Sequence, residues 1–238
     1  MKDAVRENFD RSVAAYREYE RRTGRFAALA RRLRDAMAAA HAGSLDRILD
    51  AGAGTGASTA VFRDPGETVA LDASREMLLE NDAPARVVGD FDALPFRDAT
   101  FDAVAFTASL FLVADPRTAV AEAARVLRPG GVVGAVAPLG WVTADGEDVF
   151  DALGRDARSP ASTRAVEEAV ADVFDVEAGE WAFETTADDL RRFHAVPAMA
   201  ARLYPRLDPE ERVREARALL AEVDGPLEQR WRWVVGRA

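Results

Sequence analysis

Three glycines at alternate positions follow a carboxylate in Asp50-Ala51-Gly52-Ala53-Gly54-Thr55-Gly56. Ile48 and Leu49 close a short apolar run just ahead of them, which reads as a buried strand. Glycine has no Cβ, so such a loop lets a ligand lie directly on main chain. Where a parallel strand hands over to a helix, a loop of this kind cradles a nucleotide-like cofactor. Gly52, Gly54 and Ala57 also satisfy the dinucleotide spacing G-x-G-x-x-G/A. The loop alone therefore leaves nicotinamide cofactors and other adenosine cofactors open.

Two further carboxylates narrow the choice. Asp72 ends the apolar run Thr68-Val69-Ala70-Leu71, twenty residues after Gly52. An acid there can accept both hydroxyls of an adenosine ribose, or else cap the helix that begins near Ser74. Asp90 ends a third run, Val87-Val88-Gly89, and is followed by Phe91. A carboxylate at that point can accept from an adenine amino group while the phenyl ring packs on the base; the plain alternative is turn chemistry. A dinucleotide site has no special need for this third element. A nicotinamide oxidoreductase also has no Tyr-x-x-x-Lys pair to use here, because Lys2 is the only lysine.

Groups able to move a proton are few. Thr107-Ala108-Ser109-Leu110-Phe111-Leu112-Val113 offers hydroxyls and apolar surface, with no acid and no histidine. His194 is the one candidate base, on a helical segment far along the chain, where a lone histidine commonly serves structure instead. Arg191, Arg192, Arg202 and Arg206 could draw in an anionic acceptor, or form a solvated face paired to Asp188 and Glu211. Trp141, Trp231 and Trp233 suit either a pocket wall or core. With no cysteine and two histidines, no thiolate or His-rich metal centre is expected.

These residues need a scaffold that brings strand ends together. From residue 46, short apolar runs alternate with helical patterns, which predicts a doubly wound α/β sheet. Strands are expected at about 46–51, 67–72, 86–89, 101–107 and 131–138. Helices are expected at about 57–63, 74–80 and 116–128, with Pro129-Gly130-Gly131 as a stop. A helix at 162–173 and a strand at 175–185 come next, then a helical stretch at 187–224 interrupted by Pro197, Pro205 and Pro209. Alternating Arg and Trp at the end predict a last strand with one wet face. Residues 1–43 read as helices that join the 187–224 insertion in a lid, leaving 44–238 as the cofactor-binding domain.

A chain of 238 residues, 49% hydrophobic, supports one sizeable core. No apolar run approaches a membrane span and the N-terminus lacks a secretory apolar region, so a cytoplasmic protein is expected. The net charge of −10 disfavours nucleic acid as a partner. An acidic, arginine-rich, lysine-poor composition suits a salt-adapted host, or reflects codon usage alone.

Taken in order, the motifs resemble those of class I S-adenosylmethionine (SAM)-dependent methyltransferases, in their small-molecule branch. The resemblance rests on Leu49–Gly56, on Leu71-Asp72-Ala73-Ser74 with Met77-Leu78, and on Gly89-Asp90-Phe91-Asp92-Ala93-Leu94-Pro95-Phe96. It continues through Phe101-Asp102-Ala103-Val104 and Arg125-Val126-Leu127-Arg128-Pro129-Gly130-Gly131. It implies a Rossmann-like sheet of seven strands in the order 3-2-1-4-5-7-6, the last strand antiparallel, with a helical lid. It also implies that Asp50 and Gly52 lie near the methionine amino group while Gly54 and Gly56 shape the loop. Asp72, Ala73 and Met77 fall at the ribose, Asp90 and Phe91 at the adenine, and Thr107 near the reacting methyl. Tyr16, in a segment similar to the family's N-terminal helix, would help cover the cofactor. The layout is also similar to that of malonyl-ACP O-methyltransferases, although Ser109-Leu110-Phe111-Leu112-Val113 departs from their aromatic-rich segment. The resemblance implies a small-molecule or carrier-bound acceptor; a SAM-binding module without transfer carries the same ligands.

Overall fold

A computed structural model describes residues 2–154 and 162–238. Seven strands form one sheet: β1 (Arg47–Ala51), β2 (Glu67–Asp72), β3 (Ala85–Val88), β4 (Phe101–Thr107), β5 (Leu127–Thr143), β6 (Asp175–Thr186) and β7 (Pro226–Arg237). Their order is β3-β2-β1-β4-β5-β7-β6, as the motifs imply. The pairs β1–β2, β1–β4, β2–β3 and β4–β5 are parallel. Every residue of β4 is buried, as in parallel strands covered on both faces, and that is why they read as unbroken apolar runs.

The last strand runs against the others. The Ala238 amide, just past β7, donates to the Gly131 carbonyl near the start of β5 at 3.0 Å, which an antiparallel pair requires. At the sheet edge, Arg237 pairs with Asp175 at 3.4 Å. The Trp233 indole fills the space beside Gly179, within 2.8 Å of where a Cβ would stand. Those two contacts fix an antiparallel register for β6 and β7.

The helices run in chain order. α1 (Lys2–Asp10) is followed by α2 (Val13–Thr23), which ends at Gly24, whose φ of 58° and amide bond to the Glu20 carbonyl stop the helix. α3 (Arg25–Ala40) places Leu29, Ala30, Leu33 and Met37 in the core. α4 (Ala57–Phe62) leaves the glycine loop, and α5 (Arg75–Leu79) is capped by the Ser74 hydroxyl. α6 (Pro116–Val126) has Asp115 as its cap and Pro116 in its first turn. After α7 (Val149–Ala152) and α8 (Thr163–Ala171), the chain folds α9 (Ala187–His194), α10 (Pro197–Leu203) and α11 (Pro209–Leu219). Thr186 and Asp208 cap α9 and α11 through their side chains.

Contacts divide the chain into two units. The larger takes its described residues from Arg25–Ala137, Pro160–Gly179 and Arg232–Ala238, the smaller from Met1–Gly24, Pro138–Ser159 and Glu180–Trp231. The first boundary between these units falls at Gly24, so α3 lies in the larger one. Met37 and Leu33 of α3 pack against bare main chain at Gly134 of β5, which ties this helix to the sheet. Pro129-Gly130-Gly131 also differs from a simple stop. Phe101 of β4 pairs with Leu127 and Ala103 with Val132, so the segment is an irregularity inside β5.

Candidate cofactor site

The ends of β1, β2, β3 and β4 meet at the glycine loop. The amides of Gly52 and Ala53 both donate to the Leu71 carbonyl of β2, at 2.8 and 3.0 Å. Gly52, Gly54 and Gly56 have φ values of 82°, 52° and 98°, a region that other residues enter only with strain. A Cβ on Gly52 would overlap Ser109 and approach Phe91 Cζ to 3.0 Å. At Gly54 a Cβ would meet nothing within 4 Å, so the main chain there is open, and a side chain would fill the space a ligand needs.

Asp72 stands beside that opening. Its Oδ2 accepts from the Gly54 amide at 2.9 Å and its Oδ1 from the Ser74 amide at 2.8 Å. The carboxylate thus ties the end of β2 to the open part of the loop through the Gly54 amide. Ala73 is exposed next to it and Met77 is buried under α5.

On the other side, Asp90 Oδ1 accepts from the Asp92 amide at 3.1 Å and tightens the turn after β3. Phe91 is half-buried, edge-on to Phe106 with ring centroids 5.4 Å apart, and close to Gly52. Arg125 of α6 secures the chain just beyond that turn. It donates to the carbonyls of Leu94 and Phe96 at 2.9 and 2.8 Å and pairs with Glu122 at 2.7 Å. Glu122 in turn accepts from the Leu94 amide at 2.8 Å. This clasp explains an Arg at the end of α6 by the loop it binds.

Asp50 is completely buried. Its Oδ2 accepts from Ser58 Oγ at 2.8 Å and Thr59 Oγ1 at 2.6 Å. Its Oδ1 has no hydrogen-bond partner among the described residues. Loss of solvent pushes this carboxyl up to about 6, opposed by the hydroxyls of Thr59 and Ser58 and assisted by the charge of Asp72. An unpaired buried acceptor costs on the order of 1–3 kcal/mol. Such an atom at the base of a ligand loop suits a cofactor that brings a donor. Ser58, Thr59, Asn81 and Ser109 all hold this loop and carry no signal of their own in the sequence, beyond the position of Ser58 and Thr59 in the first turn after it.

At the end of β4, the Thr107 hydroxyl is buried with no partner among the described residues, and Ala108 has a φ of 56°. That left-handed residue turns Ser109 inward, where its Oγ donates to the Ala51 carbonyl at 2.7 Å.

The smaller unit contains the remaining candidates. Tyr16 is half-buried on α2, edge-on to Phe9 at 6.4 Å. His194 is buried among Phe150, Phe193 and Trp141, with ring centroids at 4.9, 5.1 and 6.2 Å. Its Nδ1 lies 3.1 Å from the Leu190 carbonyl. Burial holds its pKa down to about 3, so the ring is neutral at ordinary pH and a poor proton acceptor. Arg192 pairs with Asp188 at 2.8 Å, and Arg191 donates to the Val223 carbonyl at 2.8 Å. These two arginines therefore act in structure, and Trp231 is core.

The segment that builds the loop and both carboxylate-bearing strand ends, residues 49–135, matches a family model described as a methyltransferase domain. Over that segment the chain is similar to class I SAM-dependent methyltransferase domains. The family implies SAM as methyl donor, and the open main chain at Gly54, the unpaired Asp50 Oδ1 and the carboxylate of Asp72 beside the loop fit that molecule. The methyltransferase domain is similar to part of the demethylmenaquinone methyltransferase of Renibacterium salmoninarum. That match is 43% identical over 90 residues, or 36% of this chain and 38% of that one. It is also similar to part of the malonyl-[acyl-carrier protein] O-methyltransferase of Enterobacter lignolyticus, 37% identical over 138 residues, or 56% of this chain and 52% of that one. The matches thus span about half the length of these curated relatives or less. Among solved structures, the YcgJ protein of Bacillus subtilis shares the fold, with a TM-score of 0.59 at 18% identity over 86% of this chain and 97% of that one. Among the described residues, no helix is long and apolar enough to cross a membrane.

Proposed function

We propose that this chain transfers the methyl group of SAM to a small-molecule or carrier-bound acceptor. One observation carries the reading: the open backbone at Gly54 lies between a buried, unpaired carboxylate oxygen of Asp50 and the carboxylate of Asp72. When bound, SAM supplies a methyl carried on a sulfonium, already activated for transfer.

The work left to the protein is to bind, orient and exclude water. Asp50 and the loop hold the amino end, Asp72 the ribose, and Asp90 with Phe91 the base. Correct alignment of two reactants can supply about 7–11 kcal/mol of a barrier in favourable cases. Thr107, Ala108 and Ser109 offer hydroxyls and a methyl group but no basic side chain, and the Ser109 hydroxyl donates to the Ala51 carbonyl. Such surroundings suit an acceptor that reaches the site already nucleophilic, such as a carboxylate or a stabilised anion. The similarity to a malonyl-carrier O-methyltransferase, over more residues than the menaquinone relative, favours a carboxylate on a carrier as a second, narrower reading.

The test is S-adenosylhomocysteine release with a panel of acceptors: free dicarboxylates, acyl carriers, quinols and phenols. Turnover with any one supports methyl transfer. Binding of SAM without turnover on any of them would instead assign a SAM-binding module.

A further inference from the structure

Asn81 lies just beyond α5, outside every motif, yet it is 1% exposed and both its amide nitrogen and its amide oxygen are hydrogen-bonded. Its Nδ2 donates to the Gly54 carbonyl at 3.3 Å and to Thr59 Oγ1 at 3.1 Å. Its Oδ1 accepts from the Ala83 amide at 2.9 Å. Thr59 Oγ1 then donates to Asp50 Oδ2 at 2.6 Å. Four groups therefore form one buried chain, from the Gly54 carbonyl through Asn81 and Thr59 to Asp50.

The same amide sits beneath Gly56. A Cβ on that glycine would come within 3.0 Å of Asn81 Cγ, so the loop rests on the amide at one glycine and is bonded to it at another. Gly54 is where the main chain lies open, and Asp50 has the acceptor without a partner. Both ends of the chain are thus the groups assigned to the amino-acid arm of the cofactor. Asp72, assigned to the ribose, meets this chain at the Gly54 amide, which donates to its Oδ2 at 2.9 Å, whereas Asp90 and Phe91, assigned to the base, make none of these bonds.

We propose that Asn81 is a positioning residue that sets the glycine loop and Asp50 for the amino-carboxylate arm of SAM; this rests on the SAM reading above. The amide is suited to the task because it both donates and accepts. An aspartate of the same shape has no donor for Gly54 or Thr59, and would place a second carboxylate beside Asp50.

Two probes separate this role from general damage. S-adenosylhomocysteine carries the amino-carboxylate arm, whereas 5′-methylthioadenosine keeps the adenosine and sulfur without it. Calorimetry on the wild type, Asn81→Asp and Asn81→Ser should show S-adenosylhomocysteine affinity falling at least tenfold in both variants. Methylthioadenosine affinity should change less than threefold. Equal losses for both ligands, or no loss for either, would overturn the positioning role while leaving the cofactor assignment intact. A wild-type chain that binds neither ligand would overturn both. If Asn81→Asp fails to fold, Asn81→Ser, which retains a small donor and acceptor, supplies the same comparison.

Discussion

Ser109 occupies the space that any side chain on Gly52 would need. Its Oγ stands 2.8 Å from the position of a Cβ there and donates to the carbonyl of the preceding residue, Ala51, at 2.7 Å. A residue from the end of β4 thereby fixes both the conformation and the identity of the first loop glycine at the end of β1.

Gly52→Ala should therefore meet two penalties at once, a φ of 82° and a collision with Ser109. S-adenosylhomocysteine affinity should fall by a factor of about 100 or more, in keeping with strain and overlap of a few kcal/mol. Adding Ser109→Gly removes the overlap but not the backbone strain, so the double variant should recover part of the loss. Affinity unchanged in Gly52→Ala, measured by calorimetry, would mean that the loop does not touch the ligand.

Protonation of Asp50 gives a second expectation. Burial raises its pKa to about 6, so it is neutral below that pH and charged above it. A ligand bearing an ammonium group prefers the charged form. S-adenosylhomocysteine binding should tighten as pH rises through about 6, and weaken by up to about tenfold per unit below it. Asp50→Asn should bind more weakly at pH 7.5 and lose this pH dependence. A wild-type profile flat from pH 5 to pH 7.5 would contradict the assignment of Asp50 to the amino end.

Much of this site was legible in the chain, and the reason differs from part to part. Asp50, Gly52, Gly54, Asp72 and Phe91 lie at strand ends, and strand ends are marked in sequence by the switch from apolar run to turn residues. The sheet order came from the motifs as a set, while the antiparallel last strand shows in the bond from Ala238 to Gly131. Asn81 and Ser109 were not legible as loop holders, because each acts across a distance of some 27 and 58 residues that no local pattern encodes. Local periodicity shows that Arg25–Ala40 is a helix, yet not which neighbour receives its apolar stripe. That depended on Gly134, about a hundred residues later.

His194 tests how far a lone histidine should be trusted as a base. Its ring is neutral in the folded chain down to about pH 3, against an ordinary value of 6.5. The unfolded chain takes up that proton first, so the stability gained from burying the neutral ring is full above pH 6.5 and is lost as pH falls toward 3. Asp50 works the other way between pH 6 and its ordinary 3.8, since there the folded form holds the extra proton. Comparing His194→Phe with the wild type cancels the Asp50 contribution. Relative to the wild type, the variant should gain about 2 kcal/mol in denaturant unfolding at pH 5 compared with pH 7.5. Its turnover with any accepted substrate should be retained. A hundredfold fall in kcat with an unchanged Kd for S-adenosylhomocysteine would restore His194 as a base.

The most direct measurement is a calorimetric titration of the chain with S-adenosylhomocysteine and, separately, with NADH. One molecule of S-adenosylhomocysteine should bind per chain, at least tenfold more weakly in Asp72→Ala, and NADH should give no binding. Saturable binding of NADH with none of S-adenosylhomocysteine would contradict the methyl-transfer reading and return the glycine loop to a dinucleotide.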